Sequence, residues 1–383
     1  MNIHPINRER EHTMLVKNGL AFINGAFQQA DVRIEDKKIT EIGTLQAKAG
    51  EEIRDAEGLY VLPGFVDIHI HAFGGADCMR GEADVRKMSA GLIETGVAAF
   101  VATTMSAYEN ETYEALKAIQ AVVDQPEARG AAVLGAHMEA PFLALQYKGA
   151  QLGECLIPPS VEAYDRMVKD LTCVRMMTLA PEIPGALEVI AELKKRGVVT
   201  CAAHTAAQAE HIHAAADAGL TQITHLFNAQ TPLHHREPGV PGAGLADDRI
   251  IVQAIADGIH LHPDILRIVA KCKGASGVAL ISDSMEAAGL PDGQYDLGGQ
   301  AVYVKDGAAR LENGVLAGST LLMHQAVKNM ITLAHIAPEQ VIPMATSTPA
   351  DSVGAKGFGR IEPGAAGVLA LMDKNWDFVG VVA

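Results

Sequence analysis

The sequence predicts a parallel (β/α)8 barrel of the TIM type, α/β in class, carrying a small β-sandwich domain built from both ends of the chain. Three observations predict it. After Pro63, eight apolar runs alternate with longer stretches of helical periodicity. Before Pro63, and again near the C-terminus, the segments are short and alternate apolar with polar, as half-buried strands do. Side chains able to bind metals recur where the apolar runs end.

Taken in order, residues 1–13 are polar and charged without an apolar core, which predicts a disordered tail and no secretory signal. Residues 14–63 contain Leu20-Ala21-Phe22-Ile23, Asp31-Val32-Arg33-Ile34 and Lys38-Ile39-Thr40-Glu41-Ile42, separated by Asn-Gly, Asp-Lys and Gly-Thr turns; they read as the N-terminal part of the β domain. The barrel is expected over 64–356. Its strands fall at 64–70, 98–103, 132–137, 174–180, 198–203, 221–225, 250–256 and 277–282. Helical periodicity runs from Met88 to Glu94, Tyr113 to Val123, Ala186 to Lys195, Ala206 to Ala218 and Ile265 to Lys271. So many strand-helix units favour a closed barrel over a doubly wound open sheet. A polar, Gly-rich piece from Asp296 to Gly318 reads as an inserted hairpin, and Ser319 to Ala334 as a final long helix. Residues 357–383, with Val368-Leu369-Ala370-Leu371 and Phe378-Val379-Gly380-Val381, read as the C-terminal part of the β domain.

Composition narrows the partners. The chain has 383 residues, 49% of them hydrophobic, enough for a large core. Its formal net charge of -15 argues against nucleic acid or an anionic membrane surface. No apolar run reaches the length of a bilayer span, so no membrane partner is expected. Five cysteines without a C-x-x-C pair suit reduced thiols in the cytoplasm.

The strand ends carry the chemistry. Strand one ends at His69 and His71, whose period-2 spacing sends both imidazoles to one side. Strand three ends at His137 and Glu139, strand five at His204, strand six at His225, strand seven at Asp257 and strand eight at Asp283. In a (β/α)8 barrel these ends converge on one face. Each residue has an ordinary alternative: His204 as a cap, His225 as a core histidine, Glu139 in a polar turn, Asp283 as an N-cap. Jointly they form a nitrogen and carboxylate set suited to zinc or a similar divalent ion. Asp283, at the mouth, is placed for general base and acid work on a metal-bound water. After strand six, His234-His235-Arg236 is a cationic spot of the kind an anionic substrate group requires, unless Arg236 pairs with Glu237. His260 and His262 follow strand seven, one facing substrate and the other the surface. No G-x-S-x-G elbow is present.

The motifs Pro63-Gly64-Phe65-Val66-Asp67-Ile68-His69-Ile70-His71, His137-Met138-Glu139-Ala140-Pro141-Phe142, His225 to Gly239, Ala256-Asp257-Gly258 with His260, Ser282-Asp283-Ser284-Met285 and Leu316-Ala317-Gly318-Ser319 span nearly the whole chain. Through them the sequence resembles the amidohydrolase superfamily and, within it, the N-acetylglucosamine-6-phosphate deacetylase family. The resemblance implies metal-dependent hydrolysis of the acetamide of an N-acetylated hexosamine 6-phosphate to the amino sugar phosphate and acetate. It implies Glu139, His204 and His225 as the main metal ligands, Asp283 as general base and acid, and His69 with His71 as ligands of a second ion bridged by Glu139. The cofactor implied is a divalent metal, zinc or iron, one or two per subunit. His260 resembles a substrate ligand, and Asn228 with the Ala229 backbone part of a phosphate site. Arg236 resembles an arginine that reaches the site of a neighbouring subunit, which implies a homodimer. Four positions depart from the family pattern: Ala140 for Gly, Gln230 for Met, Ser282-Asp283-Ser284 for Thr-Asp-Ala, and Gln151 where a sugar-touching His is usual. Gln151 therefore opens the galactosamine epimer or another N-acyl substrate. A dihydroorotase-like or aminoacylase-like hydrolase and a non-catalytic barrel module are the other readings; strand four ends at Leu179-Ala180-Pro181-Glu182 without the lysine that dihydroorotase-type sites use.

Overall fold

The computed structural model describes residues 13–383. Most of the expected tail, 1–12, lies outside the described residues, and Thr13 belongs to a strand, Thr13–Lys17.

The barrel strands are Phe65–Ile70, Val97–Thr104, Ala132–Met138, Val174–Leu179, Val199–Ala202, Gln222–Ile223, Ile251–Ile255 and Val278–Ile281, arranged in one sheet in chain order. Every printed pairing between neighbours is parallel. Both faces of the sheet are covered, which is why the strands are apolar runs rather than alternating ones; Val97–Thr104 is buried at all eight positions. Helices supply the cover. In Glu109–Asp124 the buried residues Thr112, Ala115, Leu116, Ile119 and Val122 recur at helical spacing on one side.

Strand eight returns to strand one through polar contacts beside the site. The Asp283 N–H donates to the His69 carbonyl at 2.9 Å. Asp67, fully buried in strand one, accepts from the Ser282 hydroxyl at 2.5 Å and from the N–H groups of Ser282 and His69 at 3.3 Å. Burial raises the Asp67 carboxyl to about 6 against the pull of these bonds.

Three segments differ from expectation. The insertion is a three-stranded antiparallel sheet, Gly293–Leu297, Gln300–Lys305 and Ala308–Leu311, rather than a hairpin over 296–318. Its third strand is anchored by Ala309, buried yet too small to mark an apolar alternation. The helix expected over Ser319 to Ala334 spans Met323–Thr332, because Leu322 is still extended. Two helices, Pro338–Ala345 and Ser347–Ser352, then cover the barrel where prolines obscure the periodicity.

The chain ends share two sheets. One has the order Lys38–Gly43, Asp31–Glu35, Thr13–Lys17, Glu52–Asp55; the other has Phe378–Val382, Leu369–Met372, Tyr60–Pro63, Leu20–Ile23, Ala26–Gln29. Val16, Ile34 and Ile39 of the first meet Val61, Leu369 and Leu371 of the second in a separate core. Among the described residues no helix is long and apolar enough to cross a membrane. All five cysteines are free thiols, four of them buried.

Replacing Asp67 by Ala leaves the Ser282 and His69 donors buried without their acceptor. The expected cost is about 2 kcal/mol, the scale of losing hydrogen bonds to a charged group. Denaturant unfolding of the two proteins measures it, and equal midpoints would remove Asp67 from the closure of the barrel.

Candidate metal centre and active site

Three of the site residues share a backbone device. His204, His225 and Asp283 each sit two residues beyond a strand end, at Ala202, Ile223 and Ile281, with φ of 45°, 29° and 49°. Left-handed backbone costs a side-chain-bearing residue roughly 1–3 kcal/mol, so it persists only where the surroundings impose it. Breaking the strand's alternation there brings all three side chains to the cavity at the mouth of the barrel, which they line.

At the floor of this cavity one carboxylate is shared. Glu139 Oε1 lies 3.0 Å from His225 Nε2, 3.3 Å from His204 Nε2 and 3.5 Å from His69 Nε2, while Oε2 lies 3.3 Å from His71 Nε2. The imidazoles of each pair meet: His69 and His71 at 3.2 Å, His204 and His225 also at 3.2 Å. Asp283 closes the first pair, its Oδ1 at 3.4 Å from His69 and 3.2 Å from His71. All of these side chains are buried or nearly so.

This donor set fits a cation. His71 Nδ1 lies 3.0 Å from the Thr103 carbonyl and His204 Nδ1 2.9 Å from the Tyr147 carbonyl, so each ring donates outward and turns Nε2 inward. Lone pairs facing carboxylates in a buried space need positive charge between them. Two groups have the required spacing, His69-His71-Glu139 and Glu139-His204-His225, with Glu139 common to both. Titration reflects the same demand. Burial would push Glu139 and Asp283 up, but the charge of His69 and hydrogen bonds from neighbouring imidazoles hold both well below the usual carboxylate range. Burial opposes a charge on His71, yet Asp283 and Glu139 raise it to about 9.

Supporting contacts orient the carboxylate. The Gln151 amide nitrogen donates to Glu139 Oε2 at 2.7 Å, and its carbonyl accepts the Ser106 N–H at 2.7 Å, which fixes the orientation of the amide. Gln151 borders the cavity but is 2% exposed, with its amide engaged on both sides. The other departures also hold backbone: Gln230 donates to the Thr224 carbonyl at 2.8 Å, and the Ser284 hydroxyl to the Ala72 carbonyl at 2.9 Å.

The model of the amidohydrolase family matches residues 60–381. The chain belongs to this family. It is 33% identical over 370 residues to the N-acetylglucosamine-6-phosphate deacetylase of Lysinibacillus sphaericus, covering 95% of this chain and 94% of that protein. It is 38% identical over 354 residues to the N-acetylgalactosamine-6-phosphate deacetylase of Escherichia coli O157:H7, covering 92% of each. Among solved structures, the N-acetylglucosamine-6-phosphate deacetylase of Thermotoga maritima superimposes with a TM-score of 0.85 at 35% identity, covering 96% of this chain and 98% of that one.

In this amidohydrolase, Asn228, Ala229 and His260 join the cluster in lining one cavity of about 450 Å3. His260 is held through Nδ1, 2.6 Å from Asp257, whereas His262 is exposed and caps the helix Pro263–Lys273. Arg236 does not border the cavity. It is exposed in the loop after strand six, with Nη1 2.7 Å from His235 Nε2 and no ion pair to Glu237. His137 turns to Thr178 at 2.7 Å, and burial holds it neutral, well below its ordinary value. Sequence reasoning missed Gln146, Tyr147 and Arg310, which also line the cavity. Tyr147 contributes a backbone carbonyl, for which no residue type is a signal, and Arg310 comes from the strand hidden by small residues.

Gln151→Ala removes the tether of Glu139. Outer-shell losses of this kind lower metal affinity roughly ten- to hundred-fold. Competition with a chromophoric chelator reads the change, and unaltered affinity would mean that Glu139 needs no tether.

Proposed function

We propose that this chain hydrolyses the acetamide of an N-acetylated hexosamine 6-phosphate, giving acetate and the amino sugar phosphate, with N-acetylglucosamine 6-phosphate as first substrate. The observation that carries the reading is the sharing of Glu139 between two histidine pairs, with Asp283 against one of them, on the floor of a sugar-sized cavity. The names of the relatives support the substrate class. N-acetylgalactosamine 6-phosphate is the second reading, supported by the 38% identity to the relative named for it and by Gln151 in place of histidine.

Glu139, His204 and His225 would hold one divalent ion, zinc or iron, and His69 with His71 and the same Glu139 a second. Such an ion acidifies a bound water and polarises the amide carbonyl. Asp283 accepts the proton of the attacking water and delivers it to the nitrogen as the C–N bond breaks, so that the amine leaves neutral. Its N–H bond to His69 and the N–H of Ser319, which donates to its carbonyl at 2.7 Å, keep the carboxylate in place. His260, oriented by Asp257, faces the substrate. Asn228 and the Ala229 backbone belong to its phosphate end. Arg236, outside the cavity of its own chain, is available to the site of a second copy, which supports a homodimer. Five free cysteines support a cytoplasmic location.

Asp283→Asn should lower kcat at least a hundred-fold while retaining bound metal, as removal of a general base does; an active variant means that another group takes the proton. In His69→Ala with His71→Ala, elemental analysis should find one ion fewer per subunit, and an unchanged ion count would discard the second site. Assay of both N-acetylated hexosamine 6-phosphates beside their unphosphorylated sugars tests the substrate, and equal rates with and without phosphate would discard the proposed class.

A further inference from the structure

A phosphate group needs donors at the end of the cavity away from the metal centre, and the residues so far assigned there supply few. The Asn228 amide nitrogen donates to the His225 and Leu226 carbonyls, each at 3.2 Å, which uses both of its hydrogens. What it offers a ligand is an acceptor oxygen, which a phosphate repels. Arg236 is exposed and does not line the cavity of its own chain.

Among the described residues that border the cavity, one is an arginine or lysine, Arg310. It lies on Ala308–Leu311, the third strand of the inserted sheet. Ala309 anchors this strand in a small core with Met105, Met285 and Leu297, and alternation turns Arg310 to the opposite side. The backbone of Arg310 pairs with Tyr303 on one side and bridges to Leu316, itself at the cavity, on the other. Its Nη1 donates to the Gly314 carbonyl at 2.9 Å, holding the guanidinium by one corner. Among the described residues no carboxylate pairs with it, whereas Arg33, Arg86, Arg196 and Arg249 are all paired in this chain of net charge -15. A fixed, unneutralised guanidinium at the wall of an otherwise acidic and imidazole-lined cavity suits bidentate recognition of a phosphate dianion.

We propose that Arg310 binds the 6-phosphate within the same subunit and makes the inserted sheet a specificity element. The inference rests on the phosphorylated-substrate reading above. Arg310→Ala should raise KM for the N-acetylated hexosamine 6-phosphate roughly ten- to hundred-fold, the scale of a lost charge-assisted pair, with kcat little changed. kcat/KM for the unphosphorylated sugar should stay at its wild-type value. Arg310→Lys should recover part of the loss, because charge remains while the fork is gone. Calorimetric affinity for the product, glucosamine 6-phosphate, should fall by the same factor at unchanged metal content.

Unchanged KM and product affinity in Arg310→Ala, in a wild-type enzyme that prefers the phosphorylated sugar, would overturn the role of Arg310 alone. Equal losses on both sugars would make the residue structural and overturn it as well. A wild-type enzyme indifferent to phosphate would overturn the substrate reading and this inference with it.

Discussion

One carboxylate oxygen, Oε1 of Glu139, lies within 3.5 Å of imidazole nitrogens that come from three different strands. Burying that charge is tolerable only because positive charge is gathered around it, and the barrel is what gathers it. Strand one brings His69 and His71, strand three brings Glu139, and the ends of strands five and six bring His204 and His225. None of these could be moved by a residue without leaving a buried acceptor facing another acceptor. The two candidate ion positions are therefore coupled, since they share the carboxylate.

Several features exist to hold this arrangement. Left-handed backbone at His204, His225 and Asp283 re-aims side chains that an unbroken strand would send elsewhere. Backbone carbonyls of Thr103 and Tyr147 set the ring orientation of His71 and His204. Gln151 ties Glu139 to the backbone of Ser106, and Asp67 ties strand one to strand eight. The inserted sheet completes the wall, fastened to the loop after strand three by the Gln300 amide on the Ala150 carbonyl at 2.5 Å.

Much of this was legible in the chain. Parallel strands covered on both faces must be continuous apolar runs, so the barrel strands stand out, and the ligand-type residues at their ends are separated from them by no more than two positions. The chain ends pair through Leu371 opposite Val61, as their matching alternation suggests. Less legible were Ala308–Leu311, whose inward residue is only an alanine, and the helices after residue 337, where Pro338, Pro343 and Pro349 interrupt the period.

By itself the sequence determined the barrel, the family to which it belongs and the identity of the donor atoms, because periodicity and residue chemistry are local properties. The tertiary structure alone decided which atoms meet. It placed Glu139 between the two histidine pairs, put the Gln151 amide on that carboxylate, left Arg236 outside the cavity of its own chain and brought Arg310 to its wall. Those outcomes depend on strand register, on backbone that turns left-handed beyond a strand end, and on an inserted sheet folding back over the barrel mouth. Each is set by contacts between residues far apart in the chain, and no local pattern encodes them.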